Sequence, residues 1–198
     1  MRWVILFLSV WCCWSCQPEC NTTYQRDGFT PQEQLWLPVD TPAILRYASA
    51  TDTITYSLAG VRNGWSYPEA QINECGDVYF TSYTSLRYAS ASLAQQLVYE
   101  HNTYTGSRLQ ITFGNWKFFT PLADSTGVIS LFQPADTTYK KVSFTQLDSF
   151  MVNQTLYRQV KVMEMFTSSP DAFRIYVAAG NGIVQYELTD GSQWKLVN

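Results

Sequence analysis

From about residue 43 onward, apolar and polar residues alternate with a period of two, the spacing of a strand that buries one face and wets the other. Thr53-Ile54-Thr55-Tyr56-Ser57-Leu58 places Ile54, Tyr56 and Leu58 on one side, and Leu109, Ile111 and Phe113 repeat the spacing, as do Phe173, Ile175 and Val177. The same pattern predicts strands over 43–47, 78–83, 86–91, 96–101, 116–119, 128–132, 141–144, 150–152, 156–166, 183–188 and 193–197. Turn formers fall between them: Gly60, Asn63-Gly64, Thr105-Gly106-Ser107, Gly114-Asn115, Ser168-Ser169-Pro170-Asp171, Gly180-Asn181-Gly182 and Asp190-Gly191. A parallel crossover needs a dozen or more linking residues, and these gaps are too short. The expected fold is therefore all-β, either an antiparallel β-sandwich or a strongly curved, barrel-like sheet of hairpins. Residues 92–101 fit two readings, because Leu93, Leu97 and Val98 also make a helical stripe: a short helix or a strand. The last third reads as a meander in which Gly180 and Gly182 supply the positive φ a tight reversal needs.

The first residues follow another pattern. Met1-Arg2 is a minimal basic region, and residues 3–11 form an apolar run that fits a signal peptide and falls short of the roughly 20 residues needed to span a bilayer. Residues 1–15 are expected to be this leader. Residues 16–42 read as a tether and lead-in, broken by Pro18, Gly28, Pro31, Pro38 and Pro42, and residues 43–198 as one β-rich domain. Thr30-Pro31-Gln32-Glu33 has the N-cap and first-turn residues of one short helical turn.

Ser15-Cys16 follows the leader at cleavage distance and resembles a bacterial lipobox, with Cys13 as the rival position. The resemblance implies that Cys16 becomes the lipidated first residue of the mature chain and holds it to a membrane. The remaining thiols are then Cys20 and Cys75, an even number that suits pairing in an oxidising compartment; two buried free thiols are the alternative. A bridge between them would contribute about 4 kcal/mol in the chain-entropy model. The run 176–187, Tyr-Val-Ala-Ala-Gly-Asn-Gly-Ile-Val-Gln-Tyr-Glu, followed by Asp190-Gly191 and Trp194-Lys195-Leu196, is similar to the closing hairpin of many uncharacterised lipoproteins of the Bacteroidetes group. That resemblance implies a cell-envelope β-domain, at the outer membrane, and no particular activity.

Composition narrows the chemistry. The 198 residues carry a formal net charge of −3 with no cluster of Lys and Arg, which argues against nucleic acid as a partner. His101 is the only imidazole, so a Ser-His-Asp or Cys-His relay would have to run through it, and no Gly-x-Ser-x-Gly elbow precedes it; an ordinary strand or surface histidine is expected. No run has zinc or EF-hand spacing, and Asn73-Glu74-Cys75-Gly76-Asp77 reads as a turn, so no metal and no cofactor are expected. Glu69, Glu74, Asp77, Glu100, Asp148, Glu164 and Glu187 could in principle supply a glycosidase pair, but none stands in a motif. Asn21-Thr22-Thr23 and Asn153-Gln154-Thr155 match a glycosylation pattern that is incidental in a bacterial chain.

Aromatic residues are the surplus, at 16% with 13 tyrosines. Trp65, Trp116 and Trp194 lie beside turns and are candidate ligand contacts, although such rings also fill β-cores. The expected function is that of an exported, lipid-anchored envelope protein with a non-enzymatic binding or structural role and an envelope protein, glycan or lipid as partner. Two alternatives are a carrier whose cavity is lined by Met151, Met163, Met165 and Phe166, and a glycan binder acting through exposed tryptophan.

Overall fold

Period-two alternation becomes thirteen strands and one helical turn in the computed structural model, which describes residues 24–38, 40–66, 78–92, 96–103, 107–133, 137–166 and 172–197. In chain order they are β1 (Tyr24–Asp27), α1 (Pro31–Gln34), β2 (Ile44–Ala48), β3 (Thr53–Ser66), β4 (Val78–Ser90), β5 (Gln96–Asn102), β6 (Arg108–Phe113), β7 (Trp116–Pro121), β8 (Thr126–Gln133), β9 (Thr138–Val152), β10 (Thr155–Met165), β11 (Ala172–Ala178), β12 (Gly182–Leu188) and β13 (Gln193–Val197). Twelve form one antiparallel sheet in the order β7-β6-β5-β4-β3-β2-β13-β12-β11-β10-β9-β8, nearly closed and barrel-shaped; β1 adds in parallel to β4.

Every ladder on this path but one joins strands consecutive in the chain. The exception is β13 with β2, where Leu196 pairs with Tyr47 and Val197 with Arg46, so the two ends of the meander meet and close the sheet. The two free edges are β7 and β8. There side chains replace a ladder: the Gln133 amide donates to the Lys117 carbonyl and accepts from the Lys117 N–H, both at 2.8 Å. Lys161 Nζ donates to the carbonyls of Pro121 at 3.1 Å and Asp124 at 2.6 Å.

A twelve-stranded barrel has a wide lumen, and aromatic side chains fill this one. Tyr47, Tyr56, Tyr88, Tyr99, Phe118 and Tyr186 are almost wholly buried, with Phe113, Trp116 and Phe144 among them. Their rings meet edge-on or tilted, Tyr47 with Tyr56 and Tyr186, Tyr88 with Tyr99, and Phe113 with Tyr186 at 4.7 Å between centroids. Burying rings of this size removes a large apolar area from water and so stabilises the barrel.

Several sequence expectations change in detail. The segments 78–83 and 86–91 are one strand, β4, and 141–144 and 150–152 lie in one strand, β9. The polar residues between each pair continue the ladder and form no turn. Residues 96–102 are strand, because Leu97, Tyr99 and His101 alternate onto the inner face. Residues 24–38, expected to belong to the tether and lead-in, are part of the barrel's structure: β1 joins the sheet, and the rest crosses one end of the lumen. The one-turn helix forms as expected, with a capping box in which Thr30 Oγ1 accepts from Glu33 N–H and Glu33 Oε2 accepts from Thr30 N–H at 2.7 Å.

Two hairpins outrun their neighbours at the end of the barrel that carries the β11–β12 turn, here called the mouth. The β3–β4 ladder continues to Ser66 and Thr81, past the last pairs of β2 and β5. The β9–β10 ladder continues to Val152 and Thr155, past the last pairs of β8 and β11. Asn153 and Gln154, at φ 47° and 69°, turn its tip. Gln159, at φ 51°, re-aims it. Tyr157, Phe150 and Val152 consequently pack with Val160, Tyr176, Ala178 and Val184 in a second apolar cluster, and Asn153 Nδ2 reaches the Leu196 carbonyl.

Candidate functional site

The mouth gathers most of the chemistry in the described residues, and the segment between β1 and β2 closes it like a strap. Phe29 lies on His101 with ring centroids 3.9 Å apart. After α1, the Leu35 carbonyl accepts from Gly180 N–H, and Trp36, buried, covers Lys161 with the ammonium 5.2 Å from its ring centroid. Pro38 then packs against Gly182. Strap and barrel therefore share ring, hydrogen-bond and van der Waals contacts.

Gly182 explains the close fit. Its φ is 74°, and a Cβ there would stand 2.9 Å from the Tyr99 hydroxyl and 3.0 Å from Pro38 Cγ. The same hydroxyl accepts from Ile183 N–H at 3.0 Å, while Tyr47 donates to the Ile183 carbonyl at 2.9 Å. Two tyrosines thus hold both backbone groups of one residue in the β12 reversal. Burial pushes Tyr56 and Tyr88 up to about 12 and raises Tyr47, Tyr99 and Tyr186, so all five stay protonated at neutral pH.

His101 and Lys161 are fully buried in this interior. Burial lowers His101 to about 4 against the opposing charge of Glu33, so its ring is neutral at pH 7. Neither ring nitrogen has a hydrogen-bond partner among the described residues, so the histidine sits in no relay with a hydroxyl or a carboxylate there. It is a strand residue as expected, but an interior one. Lys161 is lowered to about 8 by burial and offset by the charge of Asp124; its two carbonyl bonds and the Trp36 and Phe144 rings compensate the lost hydration. Sequence reasoning passed over both Lys161 and Gln133. Their signal was phase: Lys161 shares the inward register of Met163 and Met165, and Gln133 that of Ile129 and Leu131, where a polar residue needs a partner.

The candidate tryptophans separate. Trp65 is 47% exposed on the projecting part of β3. Trp116 is buried in the lumen: it sits beside a turn, but β7 alternation turns it inward. Trp194 is half-buried, stacked on Tyr186 at 6.0 Å, with a buried Nε1. The methionine group separates as well. Met163 and Met165 are core, whereas Met151 and Phe166 are 63% and 59% exposed, so these four do not line one cavity. Cys16, Cys20 and Cys75, with Glu69, Glu74 and Asp77, lie outside the described residues.

Of the remaining carboxylates, Glu164 and Glu187 come together on the outer face through Arg174, at 3.0 and 2.9 Å. Glu187 also accepts from Tyr176, Gln185 and Gln193. With its oxygens so occupied, this cluster is built to fix the register of β10 to β13 and offers no free acid–base pair. Among the described residues no three His, Cys, Asp or Glu side chains group as a metal site.

Open grooves flank the strap. One of about 450 Å³ runs between it and the β3–β4 hairpin, lined by Phe29, Leu35, Leu37, Val61 and Leu86. A second is bordered by Leu35, Leu156, Arg158 and Asn181, and a third by Pro38, Ile44, Arg46 and Leu196. Comparison with protein-family models, curated proteins and solved structures finds no match.

Proposed function

We propose that this chain is an exported cell-envelope protein, held to a membrane by lipid on Cys16, whose β-barrel has a non-enzymatic binding or structural role. The observation that carries the reading is the leader-like run of residues 3–11 followed by Ser15-Cys16. The barrel is consistent with it. Its lumen is filled by aromatic rings and strapped at the mouth, and its buried Lys161, Gln133 and Glu187 are engaged in structural bonds. What such a body presents to a partner is its outer surface and the grooves at the mouth.

Growing cells that express the chain with a radioactive fatty acid tests the anchor. Label is expected in the wild-type protein and absent from Cys16→Ala; equal label in both, or none in either, would refute lipidation at this residue.

A further inference from the structure

At the mouth, apolar side chains from four separate elements are exposed: Leu35 in the strap at 44%, Ile44 at the start of β2 at 49%, Val61 and Trp65 on the β3 projection at 47% each, and Met151 and Leu156 at the tip of the β9–β10 hairpin at 63% and 52%. Leu35 shares one groove with Val61 and another with Leu156, while Pro38 joins the first of these to the groove of Ile44, so these four apolar residues border adjoining grooves at one end of the barrel. Exposed arginines stand among them, Arg46, Arg62 and Arg158, together with Asp40 and Asp148. An apolar rim with long, cationic side chains that can snorkel suits the interface of a bilayer.

The chain reaches the barrel at this same end. β1 begins at Tyr24, paired with Val78 at the outer end of the β3–β4 projection, beyond the mouth. Only residues 17–23 separate Tyr24 from Cys16, a span of at most about 28 Å when fully extended.

We propose that the mouth is a membrane-docking surface: with Cys16 lipidated, the barrel rests on the bilayer with the strap and both hairpin projections against the lipid headgroups. This rests on the anchor reading above and adds an orientation to it. The opposite end, with Phe132 and Tyr139 in ring contact at 5.5 Å and Phe166 exposed near them, then points away from the membrane.

The full lipidated chain, reconstituted in phosphatidylcholine–phosphatidylglycerol vesicles with an environment-sensitive fluorescent amino acid in place of Leu156 or of Tyr139, reports the orientation. Blue-shifted emission is expected at 156, with quenching by lipid-borne quenchers, and neither at 139. A fatty-acyl label that is retained while 156 stays water-like, or while 139 shifts instead, would overturn the docking proposal and leave the anchor standing. Absence of the acyl label would overturn both. Leu35→Ser combined with Val61→Ser, both exposed and thus compatible with folding, is expected to reduce the shift at 156.

Discussion

Gly182 is where one missing methyl group decides a local structure. Its positive φ and the 2.9 Å approach of the Tyr99 hydroxyl leave no room for a side chain. Gly182→Val should cost about 3 kcal/mol or more, from left-handed backbone strain and displacement of Tyr99, read as a lower denaturant midpoint. Gly191 shares the conformation, at φ 87°, but its Cβ position is open, so Gly191→Ala should cost only about 1 kcal/mol. The glycine requirement at the reversal was readable from Gly180-Asn181-Gly182; the nearness of Tyr99, 83 residues earlier, was not. His101 makes a pH prediction. Burial holds it near 4 in the folded chain against 6.5 when exposed, so as pH falls through that window the unfolded state takes up a proton that the native state refuses. Stability should decline between about pH 6.5 and 4, by at most about 3 kcal/mol from this group. His101→Phe should flatten that part of the profile in pH-dependent urea melts; an unchanged slope would show that the imidazole does not set it.

Among the elements, the strap and the seam owe their stability to contacts distant in sequence. Trp36→Ala removes the ring over Lys161 and should cost about 3–5 kcal/mol. It should also make the Lys161 amine react with acylating reagents at pH 8, a modification that peptide mass mapping locates. The seam depends on Gln133. Gln133→Leu keeps the volume but leaves the Lys117 N–H and carbonyl without the amide, so β7 should lose amide-exchange protection at Lys117 and stability should fall by about 2–4 kcal/mol. Short, strongly alternating strands such as β6 and β7 were legible from pattern alone. The long ones were less so: β4 and β9 each contain polar stretches that resemble breaks until a neighbouring strand supplies the ladder. Trp116 shows the same limit, since its place beside Gly114-Asn115 suggested exposure and only the inward phase of β7 decided otherwise.

For the whole molecule, closure is the governing event. Each of the twelve main strands can form with a neighbour in sequence, but the sheet closes only when β13 finds β2, about 150 residues away. One continuous lumen core then couples the twelve main strands, so unfolding followed by tryptophan fluorescence and by far-ultraviolet circular dichroism should give one coincident transition. Refolding should fall at the slow end for a domain of this size, because the closing pairs carry a large loop-closure cost.

The period of two fixed the all-β class, the antiparallel sense and most strand positions, because alternation and short turns are local properties. Whether those hairpins would stack as a sandwich or curl into a barrel was left open, and tertiary structure decided it: the β2–β13 ladder joins the two ends of the meander, and twelve strands around a lumen need large rings to fill it. Part of the aromatic surplus, ambiguous between surface and core, is that filling: Tyr47, Tyr56, Tyr88, Tyr99, Phe113, Trp116, Phe118, Phe144 and Tyr186. The strap across the mouth, the buried lysine and the side-chain-pinned seam arose only with the fold, since each depends on groups that the chain brings together from opposite sides of the barrel.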